Sequence, residues 1–394
     1  MTAKIQKGCI LTLFFLFTAL VNITIVINII DSDIVSDKIK VRDFENEDLK
    51  YSKISSRIHI NNNWSDAKTA GIATGSGTYN NSYVIEDLII DNGGFGHGIL
   101  IENSVVYFRI ENCTLLNSKW VGIGQAGGIT LRDVQNGQLI NNTSTYNSYG
   151  INIERGSNNE VLGNIVNDNL KGIYLSNSDN INMIGNTVNN NNYDGIFLYN
   201  GNYNNISGNK INNNGYQGIS IDGLFGGGGG DYNTITANIA NNNSGGIFIR
   251  WSNNNTVSGN TANNNNRGII IIDSYYNTIT ENTANINTMI GIDLDNSDNI
   301  TITENTVNYN NNTGIKLDIS NYNTILGNEA NDNLHFGIYV SFSDNNEISG
   351  NEANNNGLAG IFVGGIMMES YYNTISGNTL ENNFDGIFLW NSYN

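Results

Sequence analysis

The sequence predicts an all-β solenoid, a single-stranded right-handed parallel β-helix of about 13 coils of 22–23 residues, preceded by an N-terminal transmembrane helix. Three observations predict it. A Gly-Ile-x-aliphatic strand recurs thirteen times between Gly98 and Gly386, at Gly98, Gly128, Gly150, Gly172, Gly195, Gly218, Gly246, Gly268, Gly291, Gly314, Gly337, Gly360 and Gly386. Nine of the twelve steps between these glycines are 22 or 23 residues, and the other three are insertions. A second string, (Ile/Val)-x-(Gly/Glu/Ala)-Asn, places its Asn fourteen residues after most of them, as in VLGN at 161–164 and ITEN at 279–282.

Taken from the N-terminus, Lys4 and Lys7 precede an apolar run of 23 residues from Gly8 to Ile30. That is long enough to cross a bilayer with some tilt, and the basic end stays inside. Residues 1–30 are therefore expected to be a membrane anchor or uncleaved signal, with the bulk of the chain outside the cell. Residues 31–53 are polar, charged and aperiodic, the pattern of a linker. Residues 54–97 carry strand signals at 54–60 and 83–91 and are expected to cap the solenoid that occupies 98–394. The chain stops at Asn394 in mid-coil, so either truncation or end-to-end self-association through an uncapped edge is expected.

The coil follows from strand geometry. Period-2 alternation puts the Ile and the following aliphatic residue on one face. Three short strands per turn stack like residues about 4.8 Å apart on successive coils, closing a continuous core that no single strand could bury. The third strand is signalled by Val166, Val188, Ile211, Ala240 and their equivalents. Gly and Asn supply the left-handed backbone that corners need. Asn164, Asn186, Asn209, Asn238, Asn260, Asn282, Asn305, Asn328, Asn351 and Asn378 are expected to form a structural amide ladder. Leucine-rich repeats would need far more Leu, and helical repeats a 3.6 periodicity that is missing.

Composition excludes some functions. A net charge of −18 argues against nucleic acid, which needs Lys and Arg to neutralise phosphates. Two cysteines, Cys9 and Cys113, give no disulfide framework, and Cys113 is expected to be a free buried thiol. His59, His97 and His335 are scattered without metal-ligand spacing, so no metal site is assigned to them.

Over roughly residues 83–394 the GI-x-L and I-x-x-N strings resemble the right-handed β-helix repeat family, which includes pectate-lyase-like folds and the copper-site-associated NosD-like proteins. GSGTYNNSYVIEDLIID at 75–91 is similar to the opening segment of archaeal-type surface β-helix proteins, with Ser82 where a Pro usually stands. The resemblance implies the fold. It leaves activity open, because family members include lyases, hydrolases, epimerases and adhesins. Copper handling would want clustered His, Met or Cys, and of the five methionines only Met367 and Met368 are adjacent.

Function must then be read from the outward residues of the Gly-Ile strands. One outward column follows the Ile and the next follows the second aliphatic residue. Tyr174, Phe197, Tyr199, Phe248, Tyr339 and Phe362, with Phe388 and Trp390, recur there and are expected to form an exposed stripe suited to stacking on sugar rings. The plainer alternative is that these rings shield neighbouring coils. Asp293, Asp295, Lys316 and Asp318 fall on two adjacent coils, with Asp222 and Arg250 a few coils away. They could act as acid and base on a glycosidic bond, hold Ca²⁺, or form a surface charge ladder. Insertions at 224–233 and 364–372 are expected to be rim loops beside this face. The function expected is a membrane-anchored, extracellular carbohydrate-binding protein, adhesin or scaffold. The alternative is a polysaccharide lyase or glycoside hydrolase working through Asp293, Asp295, Asp318 and Lys316.

Overall fold

The predicted alternation is realised as stacked isoleucines. In a computed structural model, which describes residues 52–119, 126–225, 228–365 and 369–393, the inward Ile of the Gly-Ile strand has zero solvent exposure on coil after coil, for example Ile173, Ile219, Ile269, Ile315 and Ile361. The following aliphatic residues, among them Leu175, Ile249, Leu294 and Val340, are equally buried. Successive coils pair in parallel and in register, so Ile292 faces Ile315, and Asp293 faces Lys316. The result is the expected all-β, right-handed parallel solenoid. One long sheet has fourteen strands, a second has thirteen and a third has five.

The third sheet departs from expectation. After Ile165–Asn167 it thins to single bridges such as Thr187↔Lys210, Thr261↔Thr283 and Glu329↔Glu352. Between the buried ladder residues Asn260 and Asn265 only Thr261 bridges to the next coil, whereas the same spacing between Asn142 and Asn147 holds the strand Thr143–Thr145.

The single expected Asn ladder is one of three buried ones. The Nδ2 of Asn282 donates to Asn305 Oδ1 at 3.0 Å, and Asn305 repeats this to Asn328 at 2.9 Å. A second ladder runs through Asn265, Asn287, Asn310 and Asn333, with each backbone amide donating to the next side-chain oxygen at 2.9 Å. A third includes Asn233, Asn255 and Asn277. Each ladder satisfies backbone groups that a buried corner would otherwise orphan.

The two glycine types have different reasons. Gly259 of the second string sits at φ +62° with open space around it, and Glu281 and Glu304 take the same left-handed corner at φ 56°. The motif glycine is needed for close approach. A Cβ on Gly268 would lie 2.5 Å from the carbonyl oxygen of Gly291 and 2.9 Å from the Asn287 amide nitrogen.

The segment expected as a cap is partly solenoid. Ile58–Asn61 is already the first strand of the long sheet, and Tyr83–Glu86 opens the second. Capping falls to one short helix, Trp64–Thr69. Trp64 stacks on Tyr83 at 5.0 Å and donates its indole N–H to Ser104 Oγ at 2.9 Å. The cap boundary moves because the first coil lacks the Gly-Ile signature but keeps the alternation, Ile58 and Ile60 in, His59 and Asn61 out. Cys113 is a free, buried thiol, pushed up to about 11 by burial. The apolar run 8–30 and Cys9 lie outside the described residues; among the described residues no helix is long and apolar enough to cross a membrane.

Candidate functional site

Because the interior repeats, chemistry can vary only on the outside. The long sheet presents three outward columns. Two follow from reading forward from the glycine; the third is the residue just before it, and includes Tyr149, Lys171, Arg267, Ile290, Thr313 and Phe336.

The aromatic residues do not form an exposed stripe. Tyr174 and Phe362 are buried, and Phe197, Tyr199, Phe248 and Tyr339 are half-buried. Parallel in-register pairing sets bulky rings one coil apart, so they cover one another. They separate into groups. Tyr149, Tyr174 and Phe197 are in tilted contact at 5.2 and 5.5 Å, with the Lys171 ammonium 4.7 Å from the Phe197 ring centre. Phe248 lies 5.7 Å from the Arg250 guanidinium. Farther along, Tyr339 and Phe362 stack at 4.6 Å, and Phe336 touches both at 5.0 and 5.4 Å.

The charged candidates are drawn together, although not as a cluster of free acids. Asp293 is 3% exposed and forms an ion pair with each of two cations, Oδ2 lying 2.8 Å from Arg267 Nη1 and Oδ1 3.7 Å from Lys316 Nζ. Lys316 also reaches Asp318 Oδ2 at 3.2 Å. Asp295 is exposed and opposite Asp318 in register. Burial holds the Asp293 carboxyl above its ordinary range against the pull of Lys316 and Arg267. Burial pulls the Lys316 ammonium down, but Asp293 and Asp318 outweigh it and hold its pKa above the usual value. Asp222 and Arg250 lie a few coils from Asp293, as expected, and pair with each other, the guanidinium gripping the carboxylate at 2.6 and 3.1 Å.

These two groups of residues meet at one groove of about 400 Å³ crossing coils eight to eleven. Ile290 and Thr313 are buried and short, so they leave a depression between Arg267 and the larger Phe336. Phe336 and Tyr339 wall one end, Arg267 and Lys316 line the other part, and Met289, Asn312 and His335 form a rim. The His335 ring lies 3.2 Å from Asn312 Oδ1. Of the expected site residues, Lys316 and Tyr339 line this groove, with Asp293 beside Lys316 on the neighbouring strand. Tyr174, Phe197, Tyr199 and Phe248 stand elsewhere on the sheet.

Among the described residues, no three His, Cys, Asp or Glu side chains converge to hold a metal ion. His59 pairs with Glu102, His97 with Thr130 and His335 with Asn312, while the Cys113 thiol is buried against backbone carbonyls. Among the described residues this donor set does not fit a resident copper ion, and Met367, Met368 and Cys9 lie outside them.

Sequence profiles match in two stretches. Residues 79–225 match "Right handed beta helix region", and residues 229–357 and 329–394 match "Periplasmic copper-binding protein (NosD)". No curated protein matches the chain. Among solved structures, a double mutant of the periplasmic alginate epimerase AlgG is similar with TM-score 0.48 and 15% identity, over 87% of this chain and 84% of that one. The A-module of the Azotobacter vinelandii mannuronan C-5 epimerase AlgE4 gives 0.44 and 13%, over 84% and 92%. The Dettilon tailspike protein gives 0.44 and 16%, over 67% and 60%.

Proposed function

Since the chain belongs to the right-handed parallel β-helix family, whose interior is spent on the fold, we propose that it is a surface-displayed carbohydrate-binding protein using the groove at coils eight to eleven. The observation that carries this reading is the meeting of a ring wall, Phe336 and Tyr339, with two cations, Arg267 and Lys316, in one open depression. Aromatic faces suit the C–H faces of sugars, and cationic donors suit hydroxyl or carboxylate substituents. Asp293, on the strand between them, pairs with both cations, so the donors are held in place before a ligand arrives. Display at the surface rests on the apolar run 8–30 with its basic flank. Membrane fractionation of the full chain, with and without residues 1–30, tests that part.

Affinity electrophoresis through gels containing acidic and neutral polysaccharides tests the groove. Phe336→Ala, Tyr339→Ala and Lys316→Ala should each reduce retardation of the full chain. If no polysaccharide retards the wild type, or the variants migrate alike, the groove is not the site.

One observation favours a second reading, polysaccharide cleavage. Asp293 is a carboxyl raised by burial beside the groove, its Oδ1 without a hydrogen-bond partner, and a raised carboxyl is suited to general acid work with Asp318 or Asp295 as the second carboxylate. Release of reducing or unsaturated ends that survives in Asp293→Asn would exclude it.

A further inference from the structure

A second surface lies on the corner between the long sheet and the second sheet. From coil six to coil twelve, the residue two places before each second-sheet strand reads Tyr232, Asn254, Tyr276, Asn299, Tyr322, Asn345 and Tyr372. Tyrosine and asparagine alternate without a break. All seven adopt left-handed backbone, with φ between 55° and 59°. The column is continuous, since the amides of Tyr276, Asn299, Tyr322 and Asn345 each donate to the next coil at 2.9–3.2 Å.

Asparagine is the ordinary residue for such a corner, because its short side chain tolerates left-handed backbone. A bulky tyrosine there is unusual and costs backbone energy. The alternate coils show that the corner closes equally well with asparagine. Nor do the rings serve the core: Tyr232, Tyr276, Tyr322 and Tyr372 are 51, 61, 60 and 64% exposed. Coils about 4.8 Å apart place successive tyrosines about 9.6 Å apart, beyond ring-stacking distance of one another. Something outside the chain must account for them.

We propose that this edge is a binding track for an extended, neutral, β-linked polysaccharide lying parallel to the coil axis. A pyranose ring with its bridging oxygen spans about one inter-strand spacing, so each disaccharide step covers two coils and brings every second sugar over a tyrosine. Asn254, Asn299 and Asn345 stand between the rings, where their amides meet equatorial hydroxyls. At coil five Tyr203 stacks on Tyr232 at 5.2 Å and 5°, widening the start of the track. The neighbouring column carries Asp231, Asp298 and Asp344, whose carboxylates accept amides of the next coil. Their charge, on a chain of net −18, excludes acidic polysaccharides. This track therefore differs in both residues and ligand class from the groove.

The test is depletion of the full chain from solution by microcrystalline cellulose and by chitin, with granular starch as the α-linked control and cellohexaose as competitor. The wild type should be retained by cellulose or chitin and not by starch. Tyr276→Asn and Tyr322→Asn should each weaken retention roughly two- to tenfold, the double variant by about the product. Both variants restore the residue that alternate coils already carry, so their thermal midpoints should equal or exceed that of the wild type. Phe336→Ala should bind as wild type. Failure of the wild type to bind either solid, retention of the tyrosine variants at wild-type strength, or loss of binding in Phe336→Ala instead would each overturn the track.

Discussion

Asn305→Ala removes one rung from the middle of a buried ladder. Its Oδ1 accepts from the backbone N–H of Asn282 at 2.9 Å and from Asn282 Nδ2 at 3.0 Å. Its Nδ2 donates to the Ile279 carbonyl at 2.9 Å and to Asn328 Oδ1 at 2.9 Å. The side chain is 1% exposed, so water cannot replace these partners without opening the corner. Alanine leaves the Asn282 amide without its acceptor and weakens the Ile279 carbonyl, at about 1–3 kcal/mol for each buried group left unpaired. The expected loss is about 3–5 kcal/mol, reduced if a water enters the vacated space. Asn299→Ala is the control, an exposed left-handed corner outside the ladders, and should cost only about 1 kcal/mol of backbone strain. Denaturant midpoints give the totals. Because solenoid coils contact only their neighbours, hydrogen exchange gives the location, with the Asn282 amide losing protection first. A loss below about 1 kcal/mol, or unchanged protection at Asn282, would refute the claim that the ladder holds the corners.

Two further perturbations separate the other causes. Gly268→Ala should destabilise by about 1–3 kcal/mol through overpacking against the next coil, whereas Gly259→Ala, in open space at positive φ, should cost about 1 kcal/mol; equal losses in thermal melts would contradict the two-role account of glycine. Asp293 gives a pH dependence. Its folded-state pKa is raised by burial, so the folded state binds the proton more tightly than the unfolded one, and stability falls as pH climbs from the ordinary 3.8 through the raised value. Asp293→Asn should flatten that fall in urea midpoints taken between about pH 4 and pH 7, and an unchanged slope would assign it to other groups.

The architecture was legible because each coil states it again. Gly-Ile-x-aliphatic recurs with a fixed inward face, and one misread coil would have been outvoted by its neighbours. Two of the three buried ladders were not read, since Asn is so common here that a column such as Asn265, Asn287 and Asn310 is hidden among surface asparagines. The groove was half legible. Lys316, Asp293 and Tyr339 were read from columns counted forward from the glycine, while Arg267, Thr313 and Phe336 lie in the column just before it. The signal was present, for that position changes from coil to coil more than the motif does. Period-2 alternation told which face each ring takes. It could not tell how far the rings on coils above and below would cover Tyr174 or Phe362, because that depends on the sizes of neighbours in register.

A repeat of this kind supplies its own comparison. Thirteen coils solve the same packing problem, so a residue that differs at an equivalent position without altering burial or backbone is not required by the fold. Tyr276 and Asn299 share one corner, one φ and one hydrogen-bond pattern, and they differ only in what they offer to solvent. Arg267 and Phe336 share a column with Gly245 and Ala359, which the strand accommodates equally well. In both cases the larger or charged residue is superfluous to the coil. The aromatic pairs at Tyr174 and Phe197 fail this criterion, because their rings cover each other and the sheet beneath, which is reason enough for their presence. Ligand binding is therefore sought at the groove and the tyrosine edge, and the buried rings are left to the fold.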